Sequence, residues 1–337
     1  MKSSSFNFVS TFLLILYILT GAITNLGAID ILAPQWVYLG AINILSCVYF
    51  ILFNIATPQL GFTKLSKSIF IYVYLFYFIW SGLSYFYAIN PTETLLNLPR
   101  LGNTFFAILF CFLLLQGIEN KILFISRLFV AFLTFELLSF YSDVFTQLEA
   151  KIFDALSLKG VSGNKNITAA SIAFKVPFVL YSIVTARKRL FKFIFSFLLF
   201  SAIFAITILY ARSAILSSFI VFIIFLIYSV FTLLSDRAQL KHNLKNLSLT
   251  ILPYFIAVLL NITFTNSLNK GNIGSQLGDI EFTEKSSNGR FQYWSDAYDH
   301  IIDHPIIGAG LGNWKIASIS YGKEHVKGYT VPYHAHN

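Results

Sequence analysis

The chain has 337 residues, of which 56% are hydrophobic and 12% charged, with a formal net charge of +9. A soluble domain carries about a quarter charged residues, so the composition excludes a water-soluble globular protein and points to a multi-span membrane protein. The basic residues fall mostly between apolar runs, as the positive-inside rule expects, and no basic soluble domain exists to hold nucleic acid. Cys47 and Cys111 both lie inside apolar runs, where packing is the expected role and a disulfide framework is excluded by count.

Apolar runs of about 20 residues match the hydrocarbon thickness of a bilayer. They cover residues 6–26, 36–56, 69–88, 101–117, 122–141, 166–185, 193–210, 214–234 and 247–262. None alternates polar with apolar residues as a barrel strand would. The expected fold is therefore an all-α integral membrane protein, a polytopic helical bundle of about nine spans. The first run, preceded by Lys2, has the pattern of a signal peptide, but the spans that follow favour an uncleaved anchor.

With the N-terminus inside, the inner loops hold Lys64, Lys67, Lys121, Arg187, Lys188, Arg189, Lys192, Arg237, Lys241 and Lys245. That lysine and arginine bias fixes the expected orientation. Residues 142–165, the 210–213 turn and everything after residue 263 then face outward, which puts Arg212 and Arg290 on one membrane face. The chain stops at Asn337 within a polar segment that no closing helix follows, so it reads as a fragment whose C-terminal spans are missing.

Residues 288–337 differ from everything before them. They are polar, aromatic and glycine-rich, and hold five of the six histidines. Asn288 can cap a helix starting near Arg290. Phe291, Trp294, Tyr298, Ile301 and Ile302 recur at helical spacing as one apolar stripe, and Pro305 ends the helix. Such a helix suits the membrane interface. The run GAGLG lacks the preceding strand of a dinucleotide fingerprint and reads as a compact turn.

Guanidinium groups match phosphate oxygens in bidentate fashion. Arg212 and Arg290 therefore form a candidate clamp for a phosphate-bearing substrate, against the simpler role of snorkelling to lipid headgroups. His334 and His336 can act as a general base near neutral pH. With His300, His304 and His325 they could also hold zinc, but no HExxH pattern is present and no metal is expected. Glu136 and Lys175 are charges inside adjacent spans, about 8 and 14 Å from the outer ends at 1.5 Å per residue. They are expected to pair.

SGNKNITAA opening a span, YARSA in a short outer turn, GRFQYWSDAYDHIIDHPIIGAGLGNW, and HAHN at the end together resemble the O-antigen ligase and polymerase family. The resemblance covers residues 162–337, leaving 1–161 as N-terminal transmembrane helices. It implies a GT-C-like membrane glycosyltransferase with a large periplasmic loop, 263–337. Such an enzyme sits in the bacterial inner membrane with its active site facing the periplasm. It moves a glycan from an undecaprenyl-diphosphate carrier onto lipid A–core, another glycan or a protein hydroxyl, with no metal and no cofactor.

By the same resemblance, Arg212 and Arg290 hold the diphosphate and His336 is the catalytic base, with His334, Asn337 and Trp294 in support. Lys165 stands where the family commonly has proline, and no catalytic role is carried to it. Four readings compete with a ligase. A repeat-unit polymerase or a protein O-oligosaccharyltransferase would share its donor chemistry. A transporter or flippase for a lipid-linked solute would show midplane polar sites and repeats, and a scaffold would tolerate loss of both arginines.

Overall fold

The computed structural model describes residues 2–23, 32–53, 63, 65–155, 157–235, 240–267 and 284–321. The described residues form helices joined by turns, without a strand. The helices are α1 (Lys2–Leu19), α2 (Ala33–Phe53), α3 (Ile69–Leu83), α4 (Pro91–Leu115), α5 (Lys121–Glu149) and α6 (Lys165–Thr185). They continue with α7 (Arg189–Ile208), α8 (Arg212–Ser235), α9 (Leu240–Ser267), α10 (Glu284–Asp303) and α11 (Trp314–Tyr321). Among them, 8 helices are long and apolar enough to cross a membrane, and a shorter apolar helix, Phe8–Ala22, stands where the first span is expected.

Three spans run well beyond their apolar runs: α4, α5 and α9, the last covering Leu240–Ser267 against a run of 247–262. Helix α4 begins ten residues before the run at 101, because the Asn90 side chain accepts from the Thr92 N–H at 3.1 Å and Pro91 occupies the first turn. Helix α5 continues past Tyr141 to Glu149. Polar turns remain helical wherever a cap and intrahelical bonds are available, and hydropathy cannot register them.

The chain forms two compact units, one of residues 1–38 and 118–279 and the other of 39–117 and 280–337. In the first, α7 is the central helix, packed on α6 and α9, while α6 also meets α5 and α8. Ala169, Ala202, Ala205 and Ala257 are all fully buried, and such small side chains let helix backbones approach closely in lipid. Hydroxyls tie the helices across their seams. Tyr141 donates to the Ser201 carbonyl at 2.8 Å, Ser196 to that of Leu249 at 2.7 Å, and Tyr254 to that of Ser218 at 3.0 Å.

The expected Glu136–Lys175 pair is present at 2.7 Å. Ser171 bridges it, donating to Glu136 Oε1 at 2.6 Å and accepting from Lys175 Nζ at 2.6 Å. The Phe132 ring lies 4.9 Å from the same ammonium. The pair sits deeper than the apolar runs suggest. Because α5 extends to Glu149, Glu136 lies about 20 Å from that helix end, and Lys175 about 15 Å from the start of α6.

The second unit inverts the rule for soluble proteins. In α3, Ser81 is buried while Phe70 and Phe76 are 80% and 67% exposed. Hydrocarbon solvates phenylalanine well, and serine hydroxyls need protein partners there. Asn43 on α2 donates to the Asn103 carbonyl on α4 at 3.0 Å, and Tyr74 on α3 to that of Leu101 at 2.9 Å.

Candidate functional site

Arg212 belongs to the first unit and opens α8 after a turn of three residues, Leu209 to Ala211. The turn is tight because Tyr210 adopts a left-handed φ of 51°. Leu209, Ala211 and Ala214 are buried at 0%, 3% and 2% exposure, which anchors the backbone. The Arg212 side chain between them is exposed and has no ion-pair partner among the described residues. A cation at a helix N-terminus opposes the helix dipole, and the first turn of α8 contains no acidic residue to offset it. The turn therefore presents a guanidinium beside the N-terminus of α8, an arrangement that favours an anion.

Arg290 and Trp294 belong to the second unit and lie one helical turn apart on α10. The helix starts at Glu284, so Asn288 is inside it and is not its cap, a correction to the expected start near Arg290. The backbone of Arg290 is helical, and its side chain lies outside the described atoms. The apolar stripe is outward, with Phe291, Trp294, Tyr298, Ile301 and Ile302 all 46% exposed or more. Phe291 and Trp294 meet edge to face at 5.6 Å. The buried face carries Asp296 at 5% exposure and His300 at 7%. A helix that hides its polar side against protein and turns its apolar side outward is suited to lipid contact.

After α10 the expected turn is present, with Gly308, Gly310 and Gly312 at φ values of 58°, 86° and 76°. It docks on the ends of α3 and α4. A Cβ at Gly310 would stand 2.8 Å from that of Ala88, and one at Gly312 would overlap the Asn97 side chain. Polar bonds hold the same seam. The Leu311 N–H donates to Ser84 Oγ at 3.0 Å, and Thr94 Oγ1 donates to the Leu311 carbonyl at 3.3 Å.

Asn313, fully buried, accepts the Asn90 N–H at 2.7 Å and donates to the carbonyls of Asn90 and Leu311 at 3.3 and 3.0 Å. Lys315 pairs with Glu93 at 2.7 Å. This seam fixes the exit of the helix that carries Arg290. Sequence reasoning did not find it, although the Asn-Pro-Thr-Glu run at 90–93, a strong helix start, was the available signal.

His300 meets His304, Trp314 and Tyr321 ring to ring at centroid distances of 5.0, 5.8 and 5.3 Å. Tyr321 donates to Asp303 Oδ2 at 2.8 Å. Among the described residues, neither His300 nitrogen nor Trp314 Nε1 has a hydrogen-bond partner. Burial, and next the neighbouring His304, push the His300 imidazole below its ordinary pKa, with Asp303 opposing them. Among the described residues no three His, Cys, Asp or Glu side chains converge as a metal site would need. His325, His334, His336 and Asn337 lie outside the described residues.

Residues 195–337 match the family model described as O-Antigen ligase. No curated protein and no solved structure matches the chain.

Proposed function

We propose, from the match of residues 195–337 to the O-antigen ligase family model, that the chain transfers a glycan from an undecaprenyl-diphosphate carrier to an acceptor hydroxyl at the periplasmic face of the bacterial inner membrane. The acceptor oxygen attacks the anomeric carbon and the bond from that carbon to the diphosphate oxygen breaks. The diphosphate leaves with the electron pair, and the configuration inverts. Arg212 and Arg290 take up the charge developing on the leaving group. His336 receives the acceptor proton, with His334, Asn337 and Trp294 in support. No metal is needed, since two guanidinium groups supply the positive charge that a metal would otherwise bring.

The observation that carries this reading is Arg212, an exposed guanidinium with no ion-pair partner among the described residues, at a helix start whose dipole it opposes. Such a residue stabilises the fold little and suits an anionic ligand well. The test is transfer from an undecaprenyl-diphosphate glycan in membranes containing the protein. Lipid A–core is the acceptor in one arm and further donor in the other. Product on lipid A–core identifies a ligase, and lengthened carrier-linked chains identify a polymerase. Arg212→Ala and Arg290→Ala are each expected to lower the rate by about 10²–10³-fold with membrane insertion intact. Arg212→Lys retains charge without the bidentate fork and falls between. Full activity of Arg212→Ala overturns the assignment.

A further inference from the structure

At the opposite end of the first unit from Arg212, the end of α6, the start of α7 and the first turns of α5 enclose a cavity of about 620 Å³. Arg127, Arg187 and Lys188 line it, and no carboxylate does. None of the three cations has an ion-pair partner among the described residues, whereas Lys175 and Lys315 are each matched by a glutamate. Leu123, Phe191 and Phe195 supply an apolar wall, the two rings stacking at 6.2 Å. The Ser182 and Thr185 hydroxyls donate to their own helix, to the carbonyls of Phe178 and Tyr181. Positive side chains are therefore the donors this cavity offers.

Part of this charge has an ordinary explanation. Arg187 and Lys188 follow the C-terminus of α6, where the dipole favours cations. Arg127 does not fit it, being six residues into α5, about 9 Å below that helix's start. The first turn of α7 adds to the positive field, because Lys188 at its N-cap position makes no side-chain capping bond. The cavity thus joins uncompensated cations at a helix end to an apolar wall that runs alongside membrane spans.

We infer that this cavity binds an anionic phospholipid, with the phosphodiester among Arg127, Arg187 and Lys188 and an acyl chain against Leu123, Phe191 and Phe195. Basic pockets between spans at the inner surface suit such headgroups. The apolar wall distinguishes a lipid from a free phosphate, for which it would be useless. This site lies at the other end of α7 and α8 from the turn proposed to hold the donor diphosphate, so the two anions do not compete.

The test is native mass spectrometry of the full chain in detergent, titrated with phosphatidylglycerol or phosphatidylcholine. The parent is expected to retain phosphatidylglycerol at least tenfold more tightly than phosphatidylcholine. Arg127→Gln/Arg187→Gln/Lys188→Gln is expected to lose about fivefold per cation, on the order of 10²-fold together. Lys121→Gln/Arg189→Gln, which removes charge from the same end without touching the cavity lining, retains the lipid. Loss of binding equally in both variants would mean a diffuse surface charge and would overturn the site. Displacement of the lipid by millimolar inorganic phosphate or glycerol 3-phosphate would also overturn it, since the apolar wall would then contribute nothing. A fold check by circular dichroism accompanies each variant. If the triple variant misfolds, Phe191→Ala/Phe195→Ala carries the same expectation of weaker phosphatidylglycerol binding, and unchanged binding there refutes the proposal.

Discussion

Glu136→Ala is expected to be the most damaging single substitution in the first unit. The carboxylate is 6% exposed and Lys175 only 3%, about 20 and 15 Å from the nearer helix ends. Truncation leaves Lys175 with Ser171 and the face of Phe132, neither of which carries a negative charge. Two routes bound the cost. Stranding one partner of a buried pair costs about 3–5 kcal/mol. The lysine can also shed its proton, which at pH 7 costs about 4.6 kcal/mol from a reference pKa near 10.4. The routes agree, so a loss of about 3–5 kcal/mol is expected.

The double variant Glu136→Met/Lys175→Met removes both charges and keeps unbranched side chains of similar length. It is expected within about 1.5 kcal/mol of the parent. Denaturant unfolding of the purified protein in micelles, followed by near-UV circular dichroism, measures both. A stabilising role for the buried pair fails if Glu136→Ala stays within about 1 kcal/mol of the parent, the worth of an exposed pair. It also fails if the double variant is less stable than the single one.

The glycine turn offers a matched comparison. Gly308→Ala meets open space at a φ of 58° and should cost only the left-handed strain, about 1–2 kcal/mol. Gly310→Ala adds a contact of 2.8 Å with Ala88, so hydrogen exchange over residues 304–321 should rise further in that variant. Equal exchange in both would mean that the turn does not dock on α3 and α4 as described. For His300, the unfolded imidazole titrates near 6.5 and the folded one lower, because burial disfavours the cation. The unfolded chain therefore binds more protons in that window, and stability of α10 and α11 is full above about pH 6.5 and falls as pH drops through it. His300→Phe should flatten this profile in hydrogen exchange measured between pH 5 and 8. An unchanged profile would assign the titration to another group.

Much of the architecture follows from the sequence by itself. In lipid every backbone polar group must be satisfied within its own helix, so a long apolar run has one available conformation. The spans, the YARSA turn, the interfacial pattern of α10 and the glycine turn were all legible for that reason. The pairing of Glu136 with Lys175 was legible too, because two opposite charges in neighbouring spans have little else to neutralise them. The O-antigen ligase resemblance was carried by short ordered motifs, whose order along the chain survives without any coordinates.

Other features depend on contacts between residues far apart in the chain. Asn313 and Asn90, Leu311 and Ser84, and Lys315 and Glu93 are separated by more than two hundred residues, and no periodicity connects them. The polar start of α4 escaped hydropathy because its helix is held by a cap and a tertiary seam rather than by hydrocarbon. The face of α10 that turns inward, carrying Asp296 and His300, was also open in the sequence. A helical wheel shows which residues share a face, whereas the medium each face meets is set by what packs against it. The cavity beside Arg127 is the same kind of fact: three cations from two chain segments acquire a common field only when the helices bring them around one empty space.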